Sequence, residues 1–163
     1  TSRVMTEVRV KRGWSYGASC RVSRARGARS FRIRVSPSVE QTADTLALVF
    51  SLWEELVSRG VSSAELEFTK NYIAGGWPFT TDTADKRLDR LIDVRILNLP
   101  HDEYDTFLSR LAALSCADVN QAIARWWRPQ SAVTVLTATA SDMLPRLASL
   151  DLGEVSVLPF DSY

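Results

Sequence analysis

Histidine is nearly absent from this sequence: His101 is the only one in 163 residues, and cysteine occurs twice, as Cys20 and Cys116. The two cysteines lie far apart with no Cys-x-x-Cys spacing, so a zinc site of the usual Cys and His donors cannot be assembled. They read as two buried thiols, with a disulfide as the open alternative. A nucleophilic triad lacks its base. His101 sits in LPHDEYD, between a proline and two acids at a helix start, with no thiol or hydroxyl partner, and a solvated surface position accounts for it. No glycine-rich loop of phosphate-binding spacing occurs. No apolar run approaches the roughly 20 residues of a membrane helix, and no signal-peptide pattern opens the sequence. Residue 1 is Thr rather than Met, so a truncated or processed chain is expected.

Charge is present in both signs but unevenly placed. The net charge is only +1, yet residues 1–34 hold ten Arg or Lys against one acid, Glu7, while the other 129 hold ten bases against eighteen acids. Such polarity fits a nucleic-acid surface, an acidic substrate, or an electrostatic match between two parts of one assembly. Composition is that of an ordinary globular domain, 45% hydrophobic and 24% charged, and one domain over residues 1–163 is expected.

Periodicity supplies the elements. Val4, Met5 and Val8 share a helical face that Gly13 ends. Tyr16, Ala18, Cys20 and Val22, then Phe31, Ile33 and Val35, alternate with small or basic residues, which gives two half-buried strands joined as an antiparallel hairpin around Gly27. A helix over 38–59 carries the stripe Ala43, Leu46, Ala47, Phe50, Trp53, Leu56 and Val57, closed by Gly60. Ser62 with Glu65, and Ser115 with Asp118, are capping boxes for two further helices. The first runs to Gly75-Gly76. The second runs through Ile123 to Trp126-Trp127, which should cover the core, before Pro129. Between them lie helices over 82–97, with Leu88, Leu91, Ile92, Val94 and Ile96 as contacts, and over 102–114. Residues 132–138 (AVTVLTA) and 155–158 read as strands, with a short helix capped by Ser141 between them. Helices in the middle and strands at both ends predict an α+β fold: a small, mainly antiparallel sheet with helices packed on one face.

Pairs of acids such as Glu54-Glu55, Asp82-Asp85 and Asp102-Glu103 fall on exposed faces or helix starts, where solvation and the helix dipole explain them. Arg12-Gly13-Trp14-Ser15-Tyr16 matches the first five positions of the RNA-recognition signature, but Gly17 and Ser19 break it, and nucleic acid is not the expected partner.

Three longer passages carry a resemblance. TEVRVKRGWSYGASC, GVSSAELEFTKNYIAGGWPF and LPHDEYDTFLSRLAALSCADVNQAIARWWRP followed by AVTVLTA resemble, in order and spacing, the C-terminal, non-zinc domain of the pitrilysin/insulinase-type metallopeptidases, the group that includes mitochondrial processing peptidase. The resemblance covers essentially the whole chain. It implies a processing-peptidase-like α+β domain, truncated at its N-terminus, that holds no metal itself. Zinc would sit in a separate partner domain on a His-x-x-Glu-His motif, which this sequence lacks. It also implies that an arginine and a tyrosine seven positions later, here Arg9 and Tyr16, reach the peptide substrate near the scissile carbonyl. The chemistry of both side chains suits that role, because a tyrosine hydroxyl stays protonated near neutral pH and arginine donates from a fixed fork. Two other readings stand beside this one. Tyr16 is in phase with Ala18 and Cys20, so alternation alone makes it core, and Arg12 competes with Arg9. A structural or interaction domain without peptidase role is the alternative function. The compartment is not given by the sequence; periplasm or cell envelope would follow for a bacterial member.

Overall fold

The computed structural model describes residues 2–150 and 152–161. Two strands, β1 (Ser15–Val22) and β2 (Phe31–Pro37), form one antiparallel hairpin sheet. Six α-helices follow: α1 (Thr42–Arg59), α2 (Ser63–Gly76), α3 (Ala84–Ile96), α4 (Glu103–Ala113), α5 (Cys116–Trp126) and α6 (Ala140–Leu147). The α+β class expected from the sequence is the observed one. The residues gather into two compact units.

The first unit takes the segments up to Cys20, Ile33–Glu54 and from Arg128 onward. Its N-terminal helix is wound as a π-helix over Met5–Val10, where Lys11 N–H reaches back five residues to Thr6 C=O at 2.9 Å. Such windings are rare and gather at functional sites. The winding keeps Val4 and Val8 inward. Gly13 ends it at φ +65°, a left-handed conformation that costs a side-chain-bearing residue about 1 kcal/mol or more. Gly13 and Trp14 N–H then close on the Arg9 and Val8 carbonyls, each at 3.0 Å. Val4, Val8, Ala18 and Val49 form the core, with Met5, Trp14, Cys20, Ile33, Val35, Leu48 and Leu52 packed around them. Two helices therefore cover one face of the hairpin.

On α1 the inward line runs through Thr45, Val49 and Leu52. The expected stripe through Ala43, Ala47 and Phe50 is rotated out of phase. The helix is apolar nearly all round its middle, so periodicity alone does not fix the face; Phe50 and Trp53 are half-buried and stack on each other at 6.3 Å. Thr45 is 1% exposed and its hydroxyl has no hydrogen-bond partner among the described residues. An unpaired buried hydroxyl costs about 1–3 kcal/mol, so Thr45→Val, which keeps the shape, is expected to raise stability by about 1 kcal/mol, read as a higher midpoint in denaturant.

Three expectations for the C-terminal part are corrected. Residues 132–138 and 155–158 form no strand: among the described residues no strand pairs with them, and Val133 and Val135 stand exposed. β-branched alternation supplies the propensity for a strand but not its neighbour. Ser141 does not cap α6; Thr139 takes the cap position and the Ser141 hydroxyl turns to Asp142 at 3.3 Å. Met143 and Leu147 are its buried residues.

The second unit takes Arg21–Arg32 and Glu55–Trp127. Both capping boxes form as the sequence predicts: Ser62 Oγ accepts from Glu65 N–H at 3.2 Å, and Ser115 Oγ from Asp118 N–H at 3.2 Å. The Ser115 hydroxyl and N–H hold the Asp118 carboxyl below its usual range. Gly60 sits at φ +72°, where a methyl would overlap the Asn120 carboxamide; Asn120 Oδ1 meanwhile accepts from Val61 N–H at 2.8 Å. Gly60→Ala is expected to cost about 2 kcal/mol or more, from the left-handed strain and the displaced Asn120, visible as a lower unfolding midpoint. Of the contacts expected on α3, Leu88, Leu91, Ile92 and Ile96 are exposed, while Val94 is half-buried. Trp126 is exposed as well, while Trp127 stacks on Phe31 at 4.3 Å.

Candidate functional site

Arg9 lies on the last turn of the N-terminal helix and Tyr16 on the second residue of β1, with the Gly13 turn between them. That turn brings the two side chains together: the Arg9 guanidinium carbon is 5.1 Å from the centre of the Tyr16 ring. A cation on a ring face at this range is attractive by about 0.5–1 kcal/mol at an exposed site. Tyr16 is 91% exposed, so strand alternation misplaces it. The cause is local. Ser15 takes the buried place at the strand's start, its hydroxyl donating to Gly17 C=O at 2.6 Å and accepting Ser36 N–H at 2.9 Å. The next buried residue is Ala18, three positions on rather than two, and Tyr16 with Gly17 is turned outward between them. A serine at a strand end that satisfies its own chain in this way is the signal that identifies the irregularity.

Arg12, the competing arginine, is engaged elsewhere. Its Nη1 donates to Glu7 Oε2 at 2.7 Å and to Glu7 C=O at 3.0 Å, and it lies 5.4 Å from the centre of the half-buried Trp14 ring. Lys11 takes the other Glu7 oxygen at 2.6 Å. Lys11 first and Arg12 second hold the Glu7 carboxyl below the usual range. Among the described residues no carboxylate pairs with Arg9, and the Tyr16 hydroxyl has no hydrogen-bond partner. The pair thus presents a fixed cation and a phenolic donor to solvent, two groups able to hold a carbonyl oxygen or the negative oxygen derived from it. Trp14 is half-buried and packs against the core.

The zinc that the resemblance implies does not fit this chain. Among the described residues no group of three His, Cys, Asp or Glu gathers as ligands. Cys20 and Cys116 are free and half-buried rather than joined, and burial pushes the Cys20 thiol up, with a hydrogen bond from Ser2 opposing. His101 is exposed. No helix among the described residues is long and apolar enough to cross a membrane.

The second unit holds a feature that sequence patterns do not reveal, because its parts come from separate elements. Trp77 stacks on Phe107 at 4.2 Å, and the Arg90 guanidinium lies against both Trp77 and Tyr104, at 4.2 and 4.6 Å from the ring centres. Arg90 also donates to the Thr80 hydroxyl. Asp93 accepts from Arg24 at 2.9 Å and from the Tyr104 hydroxyl at 3.1 Å. Burial, then Asp93, raises the Tyr104 hydroxyl above its ordinary range. An open cleft of about 680 Å³ lies beside this cluster.

The first unit thus joins a helix-covered antiparallel hairpin to an outward arginine and tyrosine across a glycine turn, and among the described residues no metal-ligand cluster accompanies them. Residues 1–73 match the family described as the peptidase M16 inactive domain. A crystal structure of a peptidase M16 inactive domain from Pseudomonas fluorescens superposes with a TM-score of 0.72 at 26% identity, over 78% of this chain and 30% of that one. The non-peptidase homologue YmxG of Helicobacter pylori is 25% identical over 122 residues, 75% of this chain and 28% of that protein. These likenesses support an inactive domain of the peptidase M16 type. The chain spans under a third of the length of these relatives.

Proposed function

We propose that this chain is the non-catalytic half of a zinc metalloendopeptidase and works only when paired with a family domain that carries the His-x-x-Glu-His ligands. Its own contribution is to hold a peptide substrate near the scissile carbonyl. The observation that carries this reading is the Arg9–Tyr16 pair: exposed, in contact at 5.1 Å, and free of the Glu7 network that occupies Lys11 and Arg12. Arg9, charged at every working pH, would steady the peptide; Tyr16, protonated near neutrality, would donate to the carbonyl oxygen as negative charge builds there. The metal chemistry belongs to the partner.

One observation favours a second reading, an interaction domain with no peptidase role: the matching Helicobacter pylori protein is named a non-peptidase homologue. Reconstitution separates the two. The chain is mixed with a His-x-x-Glu-His domain of the family, assembly is followed by size and light scattering, and cleavage of a fluorogenic peptide is measured. The proposal expects assembly with turnover that depends on Tyr16 and no turnover by the chain alone. Assembly without turnover supports the interaction domain, and hydrolysis by the isolated chain contradicts both.

A further inference from the structure

Within the second unit, residues 21–32 (RVSRARGARSFR) contain five arginines and no acid. Arg21, Arg24, Arg26, Arg29 and Arg32 are all exposed, and among the described residues only Arg24 has a carboxylate partner, Asp93. Ser23 and Ser30 hold the tip shut through Ser23 N–H to Ser30 C=O and Ser30 N–H to Ser23 Oγ, both at 2.8 Å. The cations therefore stand on an ordered loop. Arg24 also lines the open cleft of about 680 Å³, together with Tyr72, Trp77 and Phe107. The floor there is Gly75 and Gly76, where an added Cβ meets nothing within 4 Å. Arg24 thus belongs to both the cationic hairpin and the aromatic cleft.

We infer that this surface is a docking site for an acidic polypeptide segment bearing an aromatic side chain: its carboxylates lie along Arg26, Arg29 and Arg32, and its aromatic ring enters the cleft. Charge complementarity selects an anion, and among the described residues the one anion paired with this hairpin is a carboxylate, Asp93 on Arg24 at 2.9 Å. The aromatic ring is selected by the exposed Tyr72 together with the edges of the Trp77–Phe107 stack, which line the cleft beside Gly75 and Gly76. This surface is built from residues other than Arg9 and Tyr16, and its occupancy does not require a peptidase partner.

The test uses the whole chain and three fluorescent probes: a peptide of glutamates interrupted by two phenylalanines, the same peptide with alanines for the phenylalanines, and an oligothymidine strand. The expected order of affinity is phenylalanine peptide, alanine peptide, oligothymidine. Charge reversal by Arg26→Glu with Arg29→Glu is expected to weaken the phenylalanine peptide about tenfold, the sum of a few exposed ion pairs, with an unchanged unfolding midpoint. Gly75→Leu, which fills the cleft floor at a helix position, is expected to bring the phenylalanine peptide down to the alanine peptide and leave the latter unchanged. Equal binding of the two peptides, insensitivity to either substitution, tighter binding of oligothymidine, or binding of none of the probes overturns the inference.

Discussion

Tyr16→Phe in the reconstituted pair is expected to cut turnover by 10²- to 10³-fold, about 3–4 kcal/mol, while assembly and KM stay within a few-fold. The asymmetry follows from where the hydroxyl stands. Tyr16 is 91% exposed and its hydroxyl bonds to no described residue, so its removal takes away no internal contact and leaves the ring under Arg9 intact. What is lost is a donor whose worth grows as the carbonyl oxygen gains charge, and such a loss appears in kcat. Arg12→Ala is the control. Its partners are Glu7 and Trp14, so turnover should fall only slightly. A strong effect at Arg12 with none at Tyr16 would assign the site to the wrong arginine and the wrong side of the Gly13 turn.

The largest effect on stability is expected at Val8. It is fully buried, lies on the π-wound helix and joins Val4, Ala18 and Val49 in the core of the first unit. Val8→Asp places a carboxylate where no cation or donor waits, and the cost should exceed about 4 kcal/mol. That approaches the whole stability of a small unit. The expected outcome is loss of the cooperative unfolding transition and of cation–π proximity between Arg9 and Tyr16, since the helix that carries Arg9 is held by Val8. Val8→Ala, a milder truncation, should lower the midpoint without abolishing the transition. An unchanged midpoint for both would mean that the helix is not anchored through this residue.

Much of the layout is legible in the sequence where a local rule dictates it. The capping boxes at Ser62 and Ser115 form because a hydroxyl and a carboxylate three residues apart can satisfy each other's backbone donors wherever the helix sits. Gly13 and Gly60 mark turns because both sit in the left-handed region. What the pattern could not give depends on neighbours distant in sequence. AVTVLTA has strand chemistry but no paired strand among the described residues, and the face of α1 is chosen by the hairpin it meets rather than by its own nearly all-round apolar surface. Trp126 and Leu88, Leu91, Ile92 and Ile96 of α3 likewise look like core by type, yet stay exposed. At the candidate site, the Arg9-to-Tyr16 spacing is legible only through a family resemblance. The outward turn of Tyr16 needs the Ser15 hydrogen bonds, which alternation ignores.

The polarity of charge also divides in the folded chain. In the N-terminal helix, Lys11 and Arg12 converge on the single acid, Glu7, and Arg9 is left to the Tyr16 ring. In the hairpin, the basic residues are arrayed outward without acids of their own. One basic stretch therefore serves two purposes, an ordered helix end that presents a donor pair and a cationic loop.

The central claim is that Arg9 and Tyr16 act together on a bound peptide, and a double-mutant cycle in the reconstituted pair tests it most directly. Turnover is measured for the unaltered chain, Arg9→Ala, Tyr16→Phe and the double variant, each at matched assembly. Residues that work as a unit give a double variant little worse than the more damaging single one, a coupling on the order of 1 kcal/mol or more. Turnover unchanged across all four proteins, or losses that simply add, contradicts the account.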